Sequence, residues 1–140
     1  MKAALQEKEH SGLTASEGIF DLQKVLMLLP DKFHHTLEVM HHFLPGIYVR
    51  TVLMKAGDIV VGKMHKQAHI AIISAGQARV VGNEHGLKSF TAPCIFMSEA
   101  RAKRALFIEE DCVWTTIHPN PSNTQDLVQL EQELIISEDI

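Results

Sequence analysis

The sequence predicts an all-β protein, a sandwich or barrel of short strands with one helix at each end. From Glu38 onward, short runs rich in Val, Ile and Thr alternate with turn signals such as Pro45-Gly46. Many short strands at regular spacing are typical of sandwiches and barrels. The acidic run 109–111 is expected to form a hairpin tip. The predicted strands cover approximately residues 38–43, 47–54, 58–62, 64–74, 77–82, 87–91, 94–98, 104–109 and 112–118.

A first helix is predicted over residues 14–29. Thr14 and Glu17 have the spacing of a capping box, in which each side chain satisfies a backbone N–H at the helix start. Pro30 ends the helix, because the residue before a proline is pushed out of helical space. Residues 1–13 carry no periodic apolar pattern, and we expect a loose lead-in there.

A second helix is predicted over about residues 123–137. The run 119–123, Pro-Asn-Pro-Ser-Asn, should break the last strand, and Ser122 with Gln125 offers a second capping pair. Apolar residues then follow at helical spacing, namely Leu127, Leu130, Leu134 and Ile135. Because no internal repeat or linker interrupts the chain, we expect a single domain over residues 14–140.

Composition narrows the classes of function. The chain has 140 residues, which suits one domain, with 13 basic and 17 acidic side chains and a formal charge of −4. That charge has the wrong sign for gripping phosphate backbones, so no nucleic-acid partner is expected. No apolar run approaches the ~20 residues that cross a bilayer, so we expect a cytoplasmic protein without a membrane partner. Cys94 and Cys112 form no Cys-x-x-Cys pair and are expected to be buried, reduced thiols.

Nine histidines stand out in this composition, because histidine is the commonest metal ligand. Two of them, His65 and His69, lie in the segment from Gly57 to Gly76, which bears most directly on function. If the segment is one strand, Lys63, His65, Gln67 and His69 share one face, since side chains alternate along a strand. Inside a barrel, that face would form a polar pocket with two imidazoles.

These residues carry a resemblance to the cupin superfamily, whose first motif has a glycine, a His-x-His pair, a glutamate and a second glycine. Gly57, His65 and Gly76 match that motif. Lys63 stands at the place of the first histidine, and His69 stands at the place of the glutamate.

The second cupin motif, Pro-x-Gly-x-x-His, corresponds to residues 99–104. Here Glu99, Arg101 and Arg104 replace the proline, glycine and histidine. The resemblance therefore implies that this motif has lost its metal ligand.

The chain is more closely similar to small single-domain cupin-like proteins of phages and bacteria. This resemblance covers about residues 38–120 and implies a jelly-roll-like cupin β-barrel over about residues 38–118. It also implies a homodimer, which would give the apolar helix 17–29 a cover. The matching residues are His41, Phe43, Pro45, Gly46, Tyr48, Arg50, Ala56, Gly57, His65, Lys66, His69, Thr91, Ala92, Pro93, Val113, Trp114, Thr115, Thr116 and His118.

Two functions compete for this barrel. A first-row metal such as Fe, Mn, Ni or Zn needs about three protein ligands, of which His65 and His69 supply two. Cationic side chains, Lys63 and Arg104, occupy the other expected places, although His118 or His41 could approach. The metal hypothesis leads to a cupin enzyme, an isomerase, lyase or dioxygenase, for which no catalytic residue is assigned.

The cationic substitutions favour the second function, binding of a small anion without catalysis. Arg50, Lys63 and Arg104 are donors suited to a carboxylate, a sugar acid, or a phosphate or nucleotide. A third alternative is a structural or interaction module whose barrel is filled by packed side chains. The predicted ligand-binding residues are Lys63, His65, His69, Arg104, Arg50, Trp114 and His118.

Overall fold

The computed structural model describes residues 15–138, apart from residues 31, 33 and 84. The predicted lead-in and the Thr14 cap lie outside these described residues. The elements are α1 (Ala15–Met27), β1 (Glu38–Leu44), β2 (Gly46–Met54), β3 (Ile59–Val61), β4 (His69–Gly82), β5 (His85–Thr91), β6 (Cys94–Ser98), β7 (Arg104–Asn120) and α2 (Leu127–Leu134). The predicted all-β architecture with a helix at each end is confirmed.

The strands pair antiparallel in the order β1-β2-β7-β4-β5, with β3 added to β7 and β6 added to β4. The two long strands, β4 and β7, run through both halves of the barrel. In one half of the barrel, β7 pairs with β2 and β4 pairs with β6. In the other half, β7 pairs with β3 and β4 pairs with β5. Strands that continue from one half to the other form the corners of the barrel.

Four predicted strands are in fact two, and the hairpin tip predicted at 109–111 is wrong. Residues 77–82 continue β4, and residues 104–109 and 112–118 belong to the single strand β7. Gly76 has a φ of +94°, and the register between β4 and β7 shifts on both sides of it. The glycine therefore marks a β-bulge, which bends a strand without ending it.

Both helices are shorter than predicted. Helix α1 ends at Met27, before Pro30. Helix α2 is capped by Asp126, whose carboxylate accepts hydrogen bonds from the backbone N–H groups of Val128 and Gln129. The predicted Ser122–Gln125 capping pair is therefore wrong, and Ser122 Oγ instead donates to Glu133 at 2.8 Å. The strand break predicted at residues 119–123 begins two residues later than expected, at residue 121, because β7 runs through Asn120.

The core lies between the inner faces of the strands. Its buried members are Val52, Met54, Ala71, Ile73, Ala78, Val80, Leu106, Ile108, Cys112 and Trp114. Both cysteines are free thiols, with Cys112 buried and Cys94 half-buried. No helix of the described residues has the length and apolar character that crossing a membrane requires.

Candidate metal centre and ligand cavity

The barrel encloses a cavity of about 550 Å³, a volume typical of small-molecule sites. Strands β2 and β7 supply the largest shares of its wall, and β1, β3, β4 and β6 contribute one or two residues each. Helix α2 lies over the cavity and contributes Leu127, Leu130 and Leu134 to the lining. The packed module considered from the sequence would have no such space, so the cavity argues against that alternative.

Three histidines converge on this cavity from three separate parts of the chain. His69 begins β4, His118 lies near the end of β7, and His65 lies in the segment between β3 and β4. Their ligand nitrogens all lie within 4.8 Å of one another. The pairing of Ile70 with Ile117 places His69 beside His118, and the centroids of these two rings are 4.6 Å apart.

His65 reaches the cluster by a route that strand alternation did not predict. Residues 62–68 do not form a strand, so the expected shared face of Lys63, His65, Gln67 and His69 is wrong. An isolated antiparallel bridge joins His65 to Ile135, just after α2. The backbone N–H of Arg101 also donates to the His65 carbonyl at 2.9 Å. His65 is therefore held by backbone contacts with residues remote in sequence.

The last residue of α2 and the segment after it hold the His65 loop by backbone hydrogen bonds on both sides of that bridge. The Lys66 N–H donates to the Leu134 carbonyl at 2.8 Å, and the Ile136 N–H donates to the Met64 carbonyl at 2.9 Å. The centroid of the His65 ring then lies 4.4 Å from that of His69 and 4.9 Å from that of His118.

Burial keeps the three imidazoles neutral near pH 7. Desolvation lowers the pKa of His65 to about 4 and that of His118 to about 3, and it also lowers the pKa of His69. The positive charge of Arg50 adds to the lowering at His65 and His118. Only the neutral ring offers a lone pair to a metal ion, so no proton has to leave before a metal binds.

The hydrogen bonding of the cluster fits metal binding. Nδ1 of His69 is buried and has no hydrogen-bond partner among the described residues. His118 Nε2 shares a hydrogen bond of 2.8 Å with the Thr116 hydroxyl, which orients the ring as outer-shell partners of ligating histidines do. Three neutral nitrogen donors with an unsatisfied buried atom fit a first-row divalent ion.

The three predicted cationic residues occupy different environments. Lys63 lies at the rim, where its ammonium pairs with Glu131 of α2 and both side chains are more than half exposed. Arg104 is half-buried and donates to the Ser98 hydroxyl. Arg50 lines the cavity from β2, and no carboxylate of the described residues pairs with it.

Comparison with solved structures identifies the architecture. No protein-family model matches the chain, and no curated protein matches it. An RmlC-like cupin protein with a double-stranded β-helix fold, from Methanocaldococcus jannaschii, superposes with a TM-score of 0.52 at 11% identity. That match covers 67% of this chain and 90% of the archaeal chain. The fold is that of a cupin.

Two further structures share this cupin fold. A protein from Photorhabdus luminescens matches with a TM-score of 0.53 and 16% identity, over 71% of this chain and 88% of that chain. A mutant salicylate 1,2-dioxygenase from Pseudoaminobacter salicylatoxidans, solved in complex with gentisate, matches with a TM-score of 0.57 and 11% identity. The dioxygenase match covers 86% of this chain and 33% of that chain. The jelly-roll-like barrel predicted from the sequence is thus confirmed.

Within the cupin barrel, Tyr48 and His41 also belong to the site, although the sequence pattern indicated them only weakly. The Tyr48 hydroxyl and His41 Nδ1 share a hydrogen bond of 2.7 Å, and both residues line the cavity. The Tyr48 ring stacks on His118 with centroids 5.7 Å apart, and burial raises the pKa of its phenol. Alternation along β2 places Tyr48 on the same face as Arg50, a signal that the sequence already contained.

Proposed function

We propose that this cupin barrel binds one first-row divalent metal ion through His65, His69 and His118, with a small anionic molecule beside it. The observation that carries the proposal is the convergence of three neutral imidazoles, His118 buried and His65 and His69 half-buried, whose ligand nitrogens lie within 4.8 Å of one another. Nitrogen-rich sites suit Zn, Fe or Ni, whereas Mn prefers oxygen ligands. When bound, such an ion supplies a Lewis acid that polarises a ligand oxygen.

The charge of this ligand set argues for an anion. Three neutral histidines leave the charge of a divalent ion uncompensated, and Arg50 adds another positive charge to the same cavity. An isolated charge in a partly desolvated space is costly unless it is paired. A carboxylate or phosphate that contacts the metal and Arg50 would offset that cost.

The remaining predicted residues take secondary places in this proposal. Trp114 forms part of the cavity wall, and Arg104 approaches it from the start of β7. Lys63 contacts Glu131 in the described chain, and its contact with a ligand stays a prediction. The homodimer and the cytoplasmic location expected from the sequence also stay predictions.

Metal titration tests the proposal. Chelator-treated protein is titrated with Zn²⁺ and Ni²⁺ in a calorimeter, and His65→Ala, His69→Ala and His118→Ala are compared with wild type. We expect one ion per chain, and each variant should lose roughly 100-fold or more in affinity, because second-shell changes alone cost ~10–100-fold. His42→Ala is the matched control, since His42 is exposed and pairs across to Val49 on the outer side of β1.

The same titration separates the competing functions. A wild-type protein that takes up neither ion would contradict the metal site. A protein that binds phosphate or acetate equally well with and without the ion would favour the metal-free anion binder. In that case Arg50→Gln should abolish binding, while the histidine variants should weaken it only slightly.

A further inference from the structure

We infer that the anion of this cavity is a carboxylate with an apolar body, such as a short fatty acid or an aromatic acid. The inference rests on the proposed function, and it names the ligand class of the same site. Its basis is the separation of the cavity wall into a polar end and an apolar end.

The register of β2 against β7 shows this separation directly. Tyr48 pairs with His118, and Arg50 pairs with Thr116, so one end of the wall is polar. Two residues further along β2, Val52 pairs with Trp114, and this pair, which also faces the cavity, is apolar. Side chains two residues apart point to the same face, so these three pairs form successive rows across the cavity wall.

Neighbouring elements extend the apolar end. On β1, Val39 pairs with Val52, continuing the apolar row, while His41 pairs with Arg50 in the polar row. Helix α2 closes over the cavity with three leucines, and its one polar lining residue, Glu131, pairs with Lys63 at the rim. The other apolar lining residues are Leu37, Met54, Val60, Val61, Leu106, Leu127, Leu130, Leu134 and Ile135.

This wall disfavours a polyhydroxylated ligand. A sugar acid placed with its carboxylate at Arg50 would direct its hydroxyls along the row of Val39, Val52 and Trp114. Those side chains offer no acceptors, and the single indole N–H can satisfy one hydroxyl at most. Each buried hydroxyl left without a partner would weaken binding, whereas each buried methylene would strengthen it.

The hydrogen-bond donors of the polar end favour a carboxylate. Arg50 presents a planar guanidinium, which matches a carboxylate with two parallel hydrogen bonds. The charge of Lys63 is engaged by Glu131 at the rim, and an Arg104 N–H already donates to Ser98. Arg50 and one metal ion would therefore contact the oxygens of a carboxylate at this polar end.

Three carboxylates test the inference on the zinc-loaded full-length protein. Hexanoate and gluconate have the same number of carbons and differ in their hydroxyls, and acetate lacks the apolar body. Binding is followed by calorimetry and by fluorescence of Trp114, the one tryptophan of the chain, which lines the cavity. Since a buried methylene contributes roughly fourfold in affinity, we expect hexanoate to bind at least about tenfold more tightly than acetate or gluconate.

Two variants locate the two ends of the ligand. Arg50→Gln should weaken acetate and hexanoate alike, because both lose the guanidinium. Val39→Thr keeps the side-chain shape but adds a hydroxyl to the apolar row, so it should reduce the hexanoate-to-acetate affinity ratio. The control is Arg79→Gln, which removes an exposed arginine paired with Glu109 outside the cavity lining.

The outcomes distinguish this inference from the proposed function. Equal affinities for acetate and hexanoate, or tighter binding of gluconate, would overturn the apolar body and leave the metal and anion site standing. Binding of none of the three carboxylates to the zinc-loaded protein would overturn the anion site and the inference together.

Discussion

Removing the ammonium of Lys103 should destabilise the protein severely. Its side chain is fully buried, and Nζ donates to both carboxylate oxygens of Glu138, at 2.9 and 2.8 Å, and to the Gly62 carbonyl at 2.9 Å. The ammonium also lies 4.6 Å from the centroid of the Phe20 ring of α1. Lys103→Met leaves the Glu138 carboxylate, only 8% exposed, without its partner. Breaking a buried pair in this way costs about 3–5 kcal/mol.

Urea denaturation at pH 7, followed by the fluorescence of the single tryptophan, measures this loss. The double variant Lys103→Met/Glu138→Leu removes both charges and should recover most of the stability, because apolar replacement of a whole buried pair is close to neutral. Lys63→Met is the matched control, since Lys63 and Glu131 form an exposed pair expected to contribute at most ~1 kcal/mol. A loss below about 1 kcal/mol in Lys103→Met, or no recovery in the double variant, would refute the reasoning.

Three further changes test other parts of the structure. In metal-free protein, burial lowers the pKa of His118 from 6.5 in the unfolded chain to about 3. Below pH 6.5 the unfolded chain therefore binds a proton that the folded chain does not bind. The free energy of unfolding consequently falls as the pH drops below 6.5. The unfolding free energy of wild type minus that of His118→Gln should therefore decrease between pH 7 and pH 4.5, and a constant difference would contradict the burial argument. Gly76→Ala should lower the free energy of unfolding by at least about 2 kcal/mol, because Gly76 has a positive φ and a Cβ there would overlap the β7 backbone. The control is Gly86→Ala, where a Cβ meets open space, and it should lower the free energy of unfolding by less than ~1 kcal/mol in the same urea experiment. Asp126→Ala should cost about 1 kcal/mol by removing the cap of α2, and an unchanged urea midpoint would show that the cap contributes nothing.

Local sequence patterns predicted most of the short strands well. The predicted 94–98 coincides with β6, and the predicted 47–54 differs from β2 by one residue. These strands alternate inward and outward side chains between clear turn signals, so their limits depend on nearby residues alone.

The long strands depended on contacts that the sequence pattern does not contain. Gly76 reads equally well as a turn or as a bulge, because both use a glycine with positive φ. The pairing of Ala75 with Val113 and of Gln77 with Glu110 decides for a bulge. That pairing is a long-range property, and a local reading of residues 109–111 as a turn could not detect it.

The candidate site was predicted in part for the same reason. The sequence predicted His65 and His69 as metal ligands because they lie close together in the chain, and it indicated His118 only as a residue that could approach them. Its place beside them follows from the β4–β7 register and from the bridge between His65 and Ile135. The pairing of Lys63 with Glu131 likewise depends on where α2 packs, which no local pattern fixes.

The central claim is that His65, His69 and His118 hold one metal ion, and an anomalous difference map tests it most directly. Crystals grown with Co²⁺ are measured above and below the cobalt absorption edge. We predict one strong peak per chain within bonding distance of a nitrogen of each of the three rings. Absence of a peak there, or a peak only at other side chains, would contradict it.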